Sequence, residues 1–469
     1  MTLPEFSPRL GDRMDLAEKR RLLLRFHWIE MEIMEILSSW SETMVHIPVR
    51  AGIGRQMFEQ ALNVESIAWA LRNQRHMGRV GASRAPSDEF VRHCERLHAL
   101  ETPAHRLIGM YGVLLPALVA AERAYLDATD RLADGNAVAA LDLCLRHHAD
   151  QMAWAERMLA MLQAGDAERR AGADVMRAQQ LSLVDGGGID ADGAPAWHLP
   201  YAGWPEPEEV RAVRAERPTA VGQWHTSGHR YRKNVFDHGV TKLRWDGRFS
   251  YAESPRDLES GADPESRDAL VFWLHGLFHG ECQTVDRMGW LIVDFPDLPW
   301  PMRRDMAQQA AEEARHIQIV AQLIEGLGGH LGDHPFIPYF GHLRRDHHHP
   351  VAHMIMGNIM GEGAAAAQTN EALRYTSGWG NAWLTHGLEH LSGDETVHVS
   401  FGKDWGTRLS QLDPAAYWEE GRSSAHDAAK AVTDAQAAFG MEPDRDALLT
   451  RVDREFAALV RDRSAAATR

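Results

Sequence analysis

Four glutamates and two histidines, arranged in two copies of one spacing, constrain this chain more than any other feature. Glu313-Ala314-Arg315-His316 and Glu395-Thr396-Val397-His398 are both Glu-x-x-His. On a helix, positions i and i+3 share a face, so each motif aims a carboxylate and an imidazole at one point. Each also has a glutamate upstream: Glu281 precedes Glu313 by 32 residues, and Glu362 precedes Glu395 by 33. As a straight helix either interval would span roughly 48 Å. A turn signal sits near each midpoint, DFPDLPWP at 294–301 and SGWGN at 377–381. Folded there into antiparallel hairpins, Glu281 comes level with Glu313, and Glu362 with Glu395. Two such hairpins packed together bring four glutamates and two histidines to one height in a four-helix bundle.

One Glu from each of two helices plus Glu-x-x-His from each of the other two is the ligand set of a bundle-core site for two metal ions. The predicted ligands are Glu281, Glu313, His316, Glu362, Glu395 and His398. Mixed carboxylate and imidazole donors suit iron or manganese rather than a closed thiolate zinc site. Four carboxylates cancel two divalent ions. Without metal they would repel one another, and burying each would cost of order several kcal/mol. The alternative is a pair of solvated helix faces. Against it stand apolar or small neighbours: Phe278, Trp290, Ile317, Ile319, Ile359, Met360, Ala364 and Val399.

Residues 265–410 resemble the ferritin-like di-iron carboxylate superfamily, whose active members carry Glu, about thirty residues, then Asp/Glu-Glu-x-Arg-His, twice. This chain reads Glu281…Glu312-Glu313-Ala314-Arg315-His316 and Glu362…Asp394-Glu395-Thr396-Val397-His398. The second copy has Val397 in place of the arginine. The stretch from HGECQ through AAEEARH to LGGHLGDHPF is also similar to an uncharacterised bacterial ferritin-like family related to tRNA-hydroxylating di-iron enzymes. The resemblance implies the same six ligands. It makes Glu312 and Asp394 acceptors for the histidine N–H groups, which fixes imidazole tautomer and orientation. It further implies two iron ions, with manganese as the alternative, and an O2-dependent enzyme. Such an enzyme hydroxylates, N-oxygenates or desaturates a small organic substrate. Electrons would come from an external donor, since no flavin or nicotinamide fingerprint is visible. Ferroxidase activity, or peroxide scavenging with iron or manganese, uses the same ligands and stays open. A scaffold with a relic site fits poorly with a complete ligand set.

The rest of the chain reads as all-α with one interruption. Residues 1–180 form a helical bundle, 181–265 an irregular connector, and 266–469 the catalytic bundle. The connector is rich in Gly, Pro, Trp and His. It holds TKLRWDGRFSYAES, which alternates around Asp246-Gly247 as a β-hairpin does. In the first bundle, breaks are expected at 47–54, 81–88 and 132–137. The hairpin spacing recurs there, from Glu32 to Glu65 and from Glu122 to Glu156. The histidines do not: Ala68 and Leu159 stand three residues on, and neither His147 nor His148 has a glutamate three before it. A bundle of related shape is expected there, without metal.

The 469 residues carry a net charge of −16, which weighs against nucleic acid or an anionic membrane as partner. The N-terminal MTLPEFSPRLGDRMDL has no signal-peptide core. The longest clean apolar run, near 113–121, falls short of the roughly 20 residues a membrane span needs. Cys94, Cys144 and Cys282 are widely spaced and read as reduced thiols. A cytoplasmic protein acting on O2 and a small molecule is expected, with a homodimer as one option and the oligomeric state left open. The cluster His342, His347, His348 and His349, the pair His275 and His279, and the run 326–336 are secondary candidates for pocket or gating roles. Trp273, Trp290 and Trp379 read as core.

Overall fold

The computed structural model describes residues 14–73, 83, 85–163, 165–185, 187–189, 264–296, 298–334, 349–412, 415–438 and 442–466. Among these residues the chain is helical, with no strand. The expected β-hairpin at 241–254 lies outside them, as do His342, His347 and His348. Two compact units emerge: Met1–Leu37 with Gln56–Pro207, and Ser38–Arg55 with Glu208–Arg469.

The first unit draws on α1 (Leu16–Trp40), α2 (Ile47–Asn73), α3 (Asp88–His98) and α4 (Pro103–Gly109). A π-helical turn, Met110–Leu114, leads on into α5 (Leu115–Ala128). Then come α6 (Gly135–Leu162) and α7 (Asp166–Asp185). The unit boundaries fall inside α1 and α2. Ser87 and Thr102 cap α3 and α4 by accepting from the backbone N–H three residues on, the usual role of hydroxyl N-caps. The continuous stretch Pro103–Ala128 is long and apolar enough to cross a membrane by length and composition. It is mostly a core element, with Leu107, Leu114, Leu115, Leu118 and Tyr125 fully buried.

The second unit centres on two helix pairs. The first pair is α8 (Pro264–Asp294) against α9 (Trp300–Gly326). In the second, a short turn Pro350–Ala352 runs into a π-helical stretch, His353–Gly361, and then α10 (Glu362–Thr376). That run packs against α11 (Ala382–Leu412). α12 (Ala415–Ala438) and α13 (Arg445–Ala466) complete the unit. Both turns fall where the sequence places them. Phe295–Pro299 separates α8 from α9, with Pro301 in the first turn of α9, where a missing N–H costs nothing. Gly380 takes φ +68° before α11, and the Asn381 side chain accepts from Leu384 N. After α9, Gly328 and Gly332 take φ +85° and +97°, which ends that helix.

One expectation fails locally. The segment 47–54 is no break: α2 starts at Ile47 and runs through it, and the interruption lies just before, at the single 3-10 turn Ser41–Thr43 and the residues after it. Pro48 sits in the first turn of α2, a starting position. Gly54 serves close packing within the second unit: a Cβ there would lie 2.9 Å from both Ala310 O and Ala314 Cβ of α9.

Candidate metal centre

A largely apolar core in the second unit surrounds one polar layer. Leu274, Val285, Met288, Leu291, Met306, Ile317 and Val320 are fully buried, each contributing about 1.5–3 kcal/mol of burial. Into that layer project Glu281 from α8, Glu313 and His316 from α9, Glu362 from the first turn of α10, and Glu395 and His398 from α11. All six are at most 4% exposed. They form two groups with facing donor atoms: Glu281, Glu313, His316 and Glu395, and then Glu313, Glu362, Glu395 and His398. Glu313 and Glu395 belong to both. The structure therefore brings together every residue expected as a ligand, in an arrangement able to hold metal.

The two imidazoles are placed alike. His316 Nδ1 lies 3.1 Å from Glu313 Oε2, 3.3 Å from Glu395 Oε1 and 3.6 Å from Glu281 Oε2. His398 Nδ1 lies 3.1 Å from both Glu313 Oε1 and Glu395 Oε2. Each Nε2 turns away from the cluster to an acid on the opposite hairpin. His316 Nε2 meets Asp394 Oδ2 at 3.0 Å, and His398 Nε2 meets Glu312 Oε2 at 2.9 Å. A carboxylate there accepts Nε2–H and leaves the Nδ1 lone pair facing the cluster. Arg315 ion-pairs with Asp394, and Gln308 donates to Glu312 at 3.0 Å.

Three partners could not be found from motif spacing. Arg287, fully buried on α8, donates to Glu362, to Asn358 Oδ1 and to His353 O. Gln309 donates to Glu362 at 2.9 Å and to Glu313 at 3.1 Å. Asn358, in the π-helical stretch, donates to Gln309 Oε1 at 2.6 Å and to His398 O at 3.2 Å. The i→i+5 widening re-aims the helix face just ahead of Glu362, a common use of π segments. Gly357 makes room for the arginine: a Cβ there would lie 2.1 Å from Arg287 Nη1. The signal was present, since Arg287 follows Glu281 by six residues inside an apolar helix. A charged residue on a buried face asks for a partner.

Protons show how strained this cluster is on its own. Burial pushes the Glu281 and Glu362 carboxyls well above the usual range, and neighbouring Glu313 adds to both shifts. For Glu313 burial acts the same way, but His398 and hydrogen bonds from Glu281 and His316 overcome it and hold it well below. Burial also opposes charging His316 and His398, yet the acids around them raise both well above the ordinary imidazole value. Asp394 is held down to about 2; burial resists, and hydrogen bonds from His316 and Arg315 prevail. Glu281 Oε1 and Glu395 Oε1 are buried without a hydrogen bond. Cations would take the place of these crowded protons and satisfy those oxygens. The six carboxylates and two arginines of the layer leave four negative charges, which two divalent ions would neutralise.

The secondary candidates lie elsewhere. His275 is held by Val271 O at 2.8 Å and His330 O at 3.0 Å. It also stacks edge-on with His334, its ring centroid 4.8 Å away. His279 is lowered to about 4, by burial first and then by His275 and His334. Neither belongs to the two ligand groups. His349 accepts from Val351 N at 3.2 Å and caps the short turn Pro350–Ala352. Trp290 is core, donating to Glu42 at 2.7 Å.

Residues 247–439 match a family described as a protein of unknown function (DUF455). That span holds all six clustered residues and covers under half of the chain. No curated protein and no solved structure matches.

Proposed function

We propose that the second unit is a ferritin-like dinuclear metal domain, and that the chain is a non-haem di-iron oxygenase or oxidase acting on a small organic substrate. The observation that supports this most is the doubled geometry: two ligand groups sharing Glu313 and Glu395, each with one imidazole locked by an acid from the opposite hairpin. Glu281, Glu313, His316 and Glu395 would hold one ion, and Glu313, Glu362, Glu395 and His398 the other. When bound, a ferrous pair would supply the electrons and the open coordination that reduce O2 and oxidise a substrate C–H or N–H bond. Manganese is the alternative metal.

The protein's own residues do the positioning. Asp394 and Glu312 keep Nε2 protonated, so each imidazole presents Nδ1. Arg287 and Gln309 hold Glu362 by one oxygen and leave the other to turn. Phe278, Ile317, Ile359 and Met360 exclude water around the layer. An external donor would re-reduce the metals, and a cytoplasmic setting without a nucleic-acid or membrane partner belongs to the same proposal.

The test is anaerobic loading of the full chain with ferrous iron, followed by O2 with and without reductant and candidate amine, aromatic or aliphatic substrates. The proposal expects two irons in the second unit and O2 uptake that yields an oxidised organic product. Uptake that yields only ferric mineral, or faster consumption of peroxide than of O2, would replace it with ferroxidase or peroxide scavenging. Failure to bind two ions would end both.

A further inference from the structure

The first unit holds a polar cluster of its own that the sequence motif does not announce. Glu30 of α1, Glu122 of α5 and His148 of α6 meet with all three side chains fully buried. They come from three separate helices. His148 Nε2 lies 3.0 Å from Glu30 Oε1, and His148 Nδ1 lies 3.2 Å from Glu122 Oε2. Glu122 Oε1 has no hydrogen-bond partner although it is sealed from solvent. Leaving a buried carboxylate oxygen bare is costly unless a cation occupies the space.

Asn63 of α2 lines the same space: its Nδ2 lies 3.3 Å from both Glu30 Oε2 and His148 Nε2, and its Oδ1 lies 2.7 Å from His147 Nδ1. Burial opposes charging His148, yet Glu30 and Glu122 raise it to about 10. In the metal-free protein an imidazolium thus bridges the two acids, and a divalent ion held by one of its nitrogens would take the place of a proton. A donor separation of about 3 Å is also what two ligands about 2.0–2.1 Å from one zinc ion would show.

We propose that Glu30, Glu122 and His148 form a mononuclear site for a divalent first-row metal ion, which clamps α1, α5 and α6 of the first unit. Two carboxylates and a neutral imidazole balance one divalent charge, and the oxygen-nitrogen donor set suits zinc, manganese or ferrous iron. Only one ion is accommodated. The second motif histidine is missing, and Asn63 supplies an amide rather than a third carboxylate. The proposal does not rest on the chemistry assigned to the second unit.

The probe is zinc, presented to the full-length protein. Crystals grown with zinc should show an anomalous peak among Glu30, Glu122 and His148, separate from any peaks at Glu313 and Glu395. Equilibrium dialysis with elemental analysis should find one ion fewer in Glu122→Gln than in the wild type. Glu313→Gln should keep the first-unit peak while losing zinc from the second unit. A zinc-saturated crystal with no density among the three side chains would overturn the proposal. So would equal stoichiometry in wild type and Glu122→Gln; either result would make His148 a protonated bridge between two glutamates. The wild-type map needs no variant to fold, and the two units are read at separate positions.

Discussion

The two buried Glu/His clusters both sit among helices but are assembled by different rules. In the second unit, one helix supplies both a carboxylate and an imidazole three residues apart, twice over, so the local period of the helix does half the work. In the first unit no helix supplies two of the three donors. Glu30, Glu122 and His148 meet only through tertiary packing. The residues that the hairpin spacing singles out there behave differently: Glu32 is buried within 3.8 Å of His98, and Glu156 is exposed. The inward position on α2 is Asn63. A donor pair within one motif is legible in a sequence; a donor set gathered from distant helices is not.

The largest effect that could break this contrast is expected from His398→Ala. It should abolish loading of the metal pair and O2-dependent turnover, a loss of more than about a hundredfold in affinity given what outer partners alone contribute. Far-ultraviolet circular dichroism should stay near wild type. A folded variant that still bound two irons and consumed O2 at the wild-type rate would remove His398 from the site.

Arg287→Met should come next, costing about 1–3 kcal/mol of stability in urea unfolding of the metal-free protein for each buried acceptor left without its donor, Glu362 Oε1 and Asn358 Oδ1. Gly357→Ala should act along the same route, about 1–3 kcal/mol, by displacing the guanidinium. An unchanged midpoint in both variants would mean that the buried arginine is not what orders Glu362.

Glu312→Gln and Asp394→Asn sharpen the comparison from outside the cluster. Each should weaken metal binding by roughly 10–100-fold while leaving all six inner residues intact, read by competition with a chelator. Equal affinity in both variants and wild type would show that the Nε2 contacts do not orient the rings.

The most gradual effect concerns acid. In the first unit, burial lowers His27 to about 4 and His93 to about 3, with Arg72 and Arg96 adding to the respective shifts. Their folded values lie below the unfolded 6.5, so the stability from keeping them neutral is fully present above pH 6.5. It is lost as pH falls toward 4 and 3, because the unfolded chain takes up protons first. Each should contribute a slope of about 1.4 kcal/mol per pH unit in that window. His93→Gln, which can still reach Ser182, should flatten the curve measured by urea titration between pH 7 and 5. An unaltered slope would place the acid sensitivity elsewhere.

Much of the fold and most of the second unit's cluster are legible in the sequence, for particular reasons. Pro-rich and Gly-rich turns at 294–301 and 377–381 divide two long apolar segments at mid-length, and a helix has only one way to present Glu and His three residues apart. Pro48 misled because proline both ends and starts helices, and the choice depends on what precedes it. Arg287, Gln309 and Asn358 stayed hidden because a polar residue on a buried face shows that a partner exists without naming it. The π-helical stretch His353–Gly361 left no mark in the residue pattern, since widening a turn is a matter of how the backbone hydrogen bonds close.

The crossing of the histidine contacts has a consequence for the order of assembly. His316 is steadied by Asp394 and His398 by Glu312, and each ligand group draws on both hairpins. A single hairpin emerging first during synthesis therefore presents three of the four donors of one group, with an imidazole not yet steadied by its acid. The fourth donor and the steadying acid arrive only when the two hairpins dock. On the proposed function, the full pair of ions would then be held only by a chain whose core is already closed.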